Sequence, residues 1–103
     1  MRSTLKITLA MLLAITCSPG TARADKKLKI VATIPTYGAI AEAIVGERGQ
    51  VTSLAKGYED PHFVRPKPSL ALILGRADLL ISTGLDLELW LPALLDKANN
   101  PRV

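Results

Sequence analysis

The chain has 103 residues, of which 13 are basic and 9 acidic, for a formal charge of +4. Three of those bases, Arg2, Lys6 and Arg23, fall in an N-terminal stretch that reads as an export signal. Without them ten bases face nine acids, which excludes the dense basic field of a nucleic-acid-binding domain. The single cysteine, Cys17, lies in the same stretch, so the remainder has no disulfide and must be held by core packing or by a bound ligand.

In chain order, Arg2 and Lys6 make a short basic start, and an apolar run follows from Ile7 to Ile15, interrupted only by Thr8. A membrane-spanning helix takes about 20 apolar residues, so this run is too short to cross a bilayer. Ser18-Pro19-Gly20 breaks it, and Ala22-Arg23-Ala24 offers a small-x-small exit. Residues 1–24 therefore read as a secretory signal peptide cut before Asp25. The competing reading, a buried amphipathic helix, is disfavoured by that break. Ala14-Ile15-Thr16 is a poor match to the residues that precede a lipid-modified cysteine, so Cys17 is expected to leave with the signal and carry no anchor.

Residues 25–103 are enough for a small core, though a marginal one. Lys29-Ile30-Val31-Ala32-Thr33 is a compact β-branched run, as expected for a strand buried on both faces. Ile34-Pro35-Thr36 ends it, with Thr36 able to cap a helix whose apolar face carries Ile40, Ala43 and Ile44. Gly46 and Gly49 mark that helix's stop, and Gln50 to Leu54 is a second strand. Gly57, Pro61, Pro66 and Pro68 make a helix over residues 55–68 improbable, which leaves a loop of about a dozen residues, a length often reserved for function.

Pro68-Ser69 then opens a helix with Leu70, Leu72, Ile73 and Leu74 as its apolar positions and Arg76 in its last turn. Leu79 to Ser82 is a third strand, Thr83-Gly84 a turn, and Leu87 to Ala98 a helix that Pro92 either kinks or delays. Asn99-Asn100-Pro101-Arg102-Val103 reads as a turn into a further strand, so residues 25–103 are expected to be a fragment, part of a larger α/β unit. Strands alternating with helices imply a parallel sheet with flanking helices. Right-handed crossovers put every strand's carboxyl end on one edge, where ligands bind in such sheets. The proline-rich loop and Thr83-Gly84 both emerge there.

His62 is the only histidine, within Glu59-Asp60-Pro61-His62 on that loop. It is either a solvated loop residue or a ligand. For the ligand reading, Pro61 stiffens the approach, and Asp60 can accept a hydrogen bond from the ring or the loop backbone and orient the imidazole. Neutral imidazole is a favoured ligand for zinc and similar cations. Glu88 and Trp90 read as structural, stabilising a helix start and covering the sheet. Arg65 and Lys67 are either solvated or partner-facing, and Gly84 supplies a turn conformation closed to a side chain.

The ordered set Lys29-Ile30-Val31-Ala32-Thr33, Asp60-Pro61-His62, Ala77-Asp78-Leu79-Leu80-Ile81, Gly84-Leu85, Leu87-Glu88 and Trp90-Leu91 resembles the metal-binding (zinc and manganese) solute-binding proteins of ABC transporters. The resemblance implies two α/β lobes joined by a rigid helix with a divalent metal between them, residues 25–103 being an incomplete N-terminal lobe. It places His62 as a metal ligand, with the other ligands on residues not present here. It further implies a periplasmic or extracytoplasmic protein, monomeric when complete, that delivers zinc or manganese to a membrane permease, the metal being cargo and no organic cofactor being needed. The histidine-rich loop common in zinc-specific members does not occur before Val103. Oxygen-rich ligand sets favour manganese and imidazole-rich sets zinc. Two other classes stay open at this point, an exported α/β-domain enzyme and a surface adhesin. The enzyme lacks a glycine-rich dinucleotide turn, a phosphate loop, a paired-histidine zinc motif and a nucleophile elbow.

Overall fold

The computed structural model describes residues 26–103. The export signal expected over residues 1–24, with Cys17, lies outside them. The elements are β1 (Leu28–Ala32), α1 (Pro35–Val45), a 3₁₀ turn (Gly46–Arg48), β2 (Gly49–Ser53), α2 (Pro68–Gly75), β3 (Leu79–Ile81) and α3 (Leu91–Ala98). The strands form one parallel sheet in the order β2-β1-β3, with Leu28 opposite Gly49 and Ile30 opposite Leu79. Fold class is thus as the strand–helix alternation implies, a parallel sheet with flanking helices. The central strand shows why. Ile30, Val31 and Ala32 are all buried, which only a strand covered on both faces requires.

The faces divide by residue parity. Ala32 and Ser53 face α1, as the approach of Gly38 to both shows. Val31 belongs instead to a cluster with Ala71 and Leu74 of α2, Leu91 and Leu94 of α3, and Leu54, Ala55, Val64, Ala77 and Trp90. Past α3, Asn100 Nδ2 donates to the carbonyls of Leu74 and Ala77 at 2.9 Å each, and Arg102 pairs with Asp78 at 3.1 Å. These contacts fix the end of α3 beside the start of β3.

Four local expectations are corrected. The face of α1 against the sheet carries Gly38 and Ala41, whereas Ile40 and Ile44 are 54% and 81% exposed. The cause is close packing. A Cβ at position 38 would collide with the Ser53 hydroxyl where it stands, so the lack of a side chain lets the helix lie this near β2 without that hydroxyl having to move. The α1 cap is the extended Ile34 with Pro35 in the first turn, so Thr36 lies inside the helix. In α2 the inward positions are Ala71 and Leu74, and Leu72 faces outward. The last helix begins at Leu91, with Pro92 in the first turn that tolerates it, so Glu88 precedes the helix and Trp90 is its cap residue.

Candidate functional site

Parallel pairing brings Ala32, Ser53 and Ile81 to one edge, and the ladder continues slightly beyond it. Thr33 N donates to Ile81 O, Leu54 N to Ala32 O and Ala55 N to Thr33 O, all at 2.9 Å. Two loops rise from this edge, residues 54–67 after β2 and residues 82–90 after β3. The first carries His62.

Asp60 organises the histidine. Its Oδ1 accepts from the backbone N–H of His62 at 2.9 Å and lies 2.8 Å from the ring Nδ1. The His62 backbone bond, followed by the ring contact, holds the Asp60 carboxyl below the usual carboxylate range, with burial opposing weakly. An ionised carboxylate only accepts, so Nδ1 is the donor in this contact, and a neutral ring bonded in this way has its lone pair on Nε2. An Asp–His pair of this kind is an arrangement in which an imidazole can bind a cation. The side chain is 54% exposed, open to an incoming ligand. Lys56 and Glu59 close the loop upstream, Lys56 N donating to Glu59 Oε2 at 2.8 Å.

The second loop is organised by Glu88, a carboxylate only 5% exposed. Oε1 accepts from the Thr33 hydroxyl at 2.6 Å and from Thr83 N at 2.8 Å, while Oε2 accepts from Gly84 N at 3.3 Å. Burial pushes this carboxyl up, and the bonds from Thr33, Thr83 and Gly84 outweigh it, so the net displacement is downward. The turn it holds is unusual, since Gly84, Leu85 and Asp86 all have positive φ, at 74°, 53° and 60°. Gly84 occupies that region freely, as its place in the sequence predicts, but Leu85 does not.

The two loops meet at Trp90. Its Nε1 donates to the carbonyl of Pro61 at 2.8 Å, directly before His62. Glu88 and Trp90 thus build the site's framework from outside any helix interior, a role that their reading as helix-start residues missed. The contacts join positions 55 and 29 residues apart, and no local pattern reports such pairs. Among the described residues no three His, Cys, Asp or Glu side chains cluster to hold a metal ion. His62 and Asp60 come together. Arg65 and Lys67 lie exposed further along the same loop.

Comparison with known proteins gives a consistent family. A family model described as zinc-uptake complex component A, periplasmic, matches residues 30–103. The manganese-binding lipoprotein MntA of Halalkalibacterium halodurans is 36% identical over 81 residues, covering 79% of this chain and 27% of that protein. The high-affinity zinc uptake system protein ZnuA of Paracoccus denitrificans is 40% identical over 63 residues, covering 61% of this chain and 19% of its own length. The crystal structure of Zn(II)-bound AdcA from Streptococcus pneumoniae superposes with a TM-score of 0.63 at 26% identity, over 76% of this chain and 17% of that one. The chain thus spans about a fifth to a quarter of the curated relatives named here.

Proposed function

The chain belongs to the family of periplasmic component A of zinc-uptake complexes, and from that premise we propose that it captures a divalent metal ion, zinc first and manganese second, for delivery to an ABC permease. Residues 25–103 form part of the first of two lobes, and His62 supplies one ligand through Nε2. A tetrahedral zinc site takes about four ligands, and the remaining ones belong to other parts of the protein. The metal is cargo. The work is binding rather than catalysis, it requires no organic cofactor and no nucleic acid, and the complete protein acts outside the cytoplasm as a monomer.

The observation that carries this reading is the Asp60–His62 pair at the carboxyl edge of the sheet, which assigns the ring proton to Nδ1 and leaves Nε2 for a cation. Relatives named for zinc and for manganese support the metal class. The test is zinc and manganese affinity of the complete protein with and without His62→Ala. Losing one ligand of a four-coordinate site should weaken zinc by about a hundredfold or more. An unchanged affinity would remove His62 from the site.

A further inference from the structure

We propose that Trp90 is a positioning residue for His62, its indole N–H fixing the peptide carbonyl directly before the histidine, so that the metal affinity supplied by His62 depends on Trp90. The inference rests on His62 being a ligand.

The loop between β2 and α2 contains no helix or strand. Its hydrogen bonds between Lys56 and Pro66 join the loop almost wholly to itself. Glu59 N donates to Lys56 O, Phe63 N to Asp60 O, Lys56 N to the Glu59 carboxylate, and His62 to Asp60. Among the described hydrogen bonds of that stretch, the bond from Trp90 Nε1 to Pro61 O, at 2.8 Å, is the one that reaches the rest of the fold. The two contacts divide the task. Asp60 orients the imidazole relative to the loop, and Trp90 orients the loop relative to the sheet. Pro61 has no N–H, so its carbonyl is its whole backbone hydrogen-bonding capacity, and Trp90 takes it.

The donor is itself held still. Trp90 is buried in the same cluster as Val64, so His62 sits between one anchor at Pro61 and another at Val64. Two residues before the indole, Glu88 is bonded to Thr33, Thr83 and Gly84 at the strand ends. A buried indole N–H normally finds a partner. Here the partner is the peptide next to the candidate ligand, 29 residues away in sequence.

The experiment replaces Trp90 by its sulfur isostere, β-benzothienylalanine, which keeps the apolar body and deletes the N–H. Zinc affinity of the complete protein is measured by competition with a chromophoric chelator, in the parent and in His62→Ala. Outer partners of metal ligands contribute about 10- to 100-fold in affinity, and an anchor one step further out should contribute about tenfold. That loss should appear in the parent and shrink below about twofold in His62→Ala, with the unfolding midpoint nearly unchanged. Trp90→Phe should act in the same direction. Unchanged zinc affinity in the isostere overturns the proposal, and so does an equal loss in both backgrounds, which would mark a general scaffold effect. If His62→Ala alone leaves zinc affinity intact, the ligand reading fails first and takes this one with it.

Discussion

The Thr33 hydroxyl donates to Glu88 Oε1 at 2.6 Å, tying the end of the central strand to a carboxylate 55 residues later. Thr33 is fully buried and Glu88 nearly so. Removing the acceptor strands the fully buried Thr33 hydroxyl, an unsatisfied buried donor that costs about 1–3 kcal/mol, and also releases the less buried N–H groups of Thr83 and Gly84. Glu88→Ala should therefore lower stability by at least about 2 kcal/mol, read as a fall in the urea midpoint without a change in slope. Glu88→Gln keeps one oxygen acceptor and should lose less. Equal stability of Glu88→Ala and parent would show that the carboxylate holds nothing.

The same group sets an acid dependence. Its folded pKa lies below the ordinary 4.5, so the folded state binds the proton less readily than the unfolded one. The stabilisation is complete above the unfolded value and is lost as pH falls through the folded value. Asp60 and Asp78 are displaced in the same direction, by the bond from His62 N in one case and from Lys29 N in the other. Urea midpoints should be level at neutral pH and drop below about pH 4.5, with a shallower drop in Glu88→Gln. Identical acid profiles for the two proteins would contradict this.

Asp60→Asn should fold normally, because both partners are exposed, yet hold zinc about tenfold more weakly. An amide presents its oxygen or its NH₂ to Nδ1 and so no longer dictates the tautomer. Chelator competition checks the affinity, and a nitrogen-15 NMR spectrum of the imidazole checks which nitrogen is protonated. A parent ring protonated mainly on Nε2 would refute the assignment.

Gly38→Ala should destabilise by about 1–3 kcal/mol through overpacking against the Ser53 hydroxyl. Ser53→Ala removes that oxygen and leaves only an ordinary 3.6 Å contact, measured to the Ser53 Cβ. The double variant should recover the loss and add part of the roughly 1 kcal/mol by which alanine exceeds glycine in a helix. A cycle of denaturation midpoints decides, and additive effects would argue against the contact.

Leu85 is 99% exposed at φ 53°, so it pays backbone strain without any packing in return. Leu85→Gly should raise stability by about 1 kcal/mol, several degrees in melting temperature for a domain of this size. A lower melting temperature would show that the side chain is packed in solution.

Cleavage before Asp25 should give an exported protein whose first residue is Asp25, with Cys17 discarded. Intact-mass measurement on the protein from its native host checks this. A lipid-modified Cys17 at the amino terminus would overturn it and align the chain with the relatives named lipoproteins.

Element type was legible in the sequence because its signals are local. The β-branched run at residues 29–33, Pro68 opening a helix and Pro92 delaying one all act through neighbouring backbone. Burial was less legible. Ile40 and Ile44 look like a core face, but helix orientation is settled by how near the backbone can approach, and Gly38 decides that against Ser53. In the site, the Asp60–His62 relation spans two residues and could be read directly. Glu88 and Trp90 act across 55 and 29 residues, so their partners emerge only once the sheet has gathered the strand ends.

Holding His62 between Pro61 and Val64 has a kinetic consequence. If His62 binds a cation as proposed, the ring would meet it already oriented by Asp60 and with its loop held at Pro61, so little rearrangement would precede binding and differences in affinity would fall mainly on the rate of release.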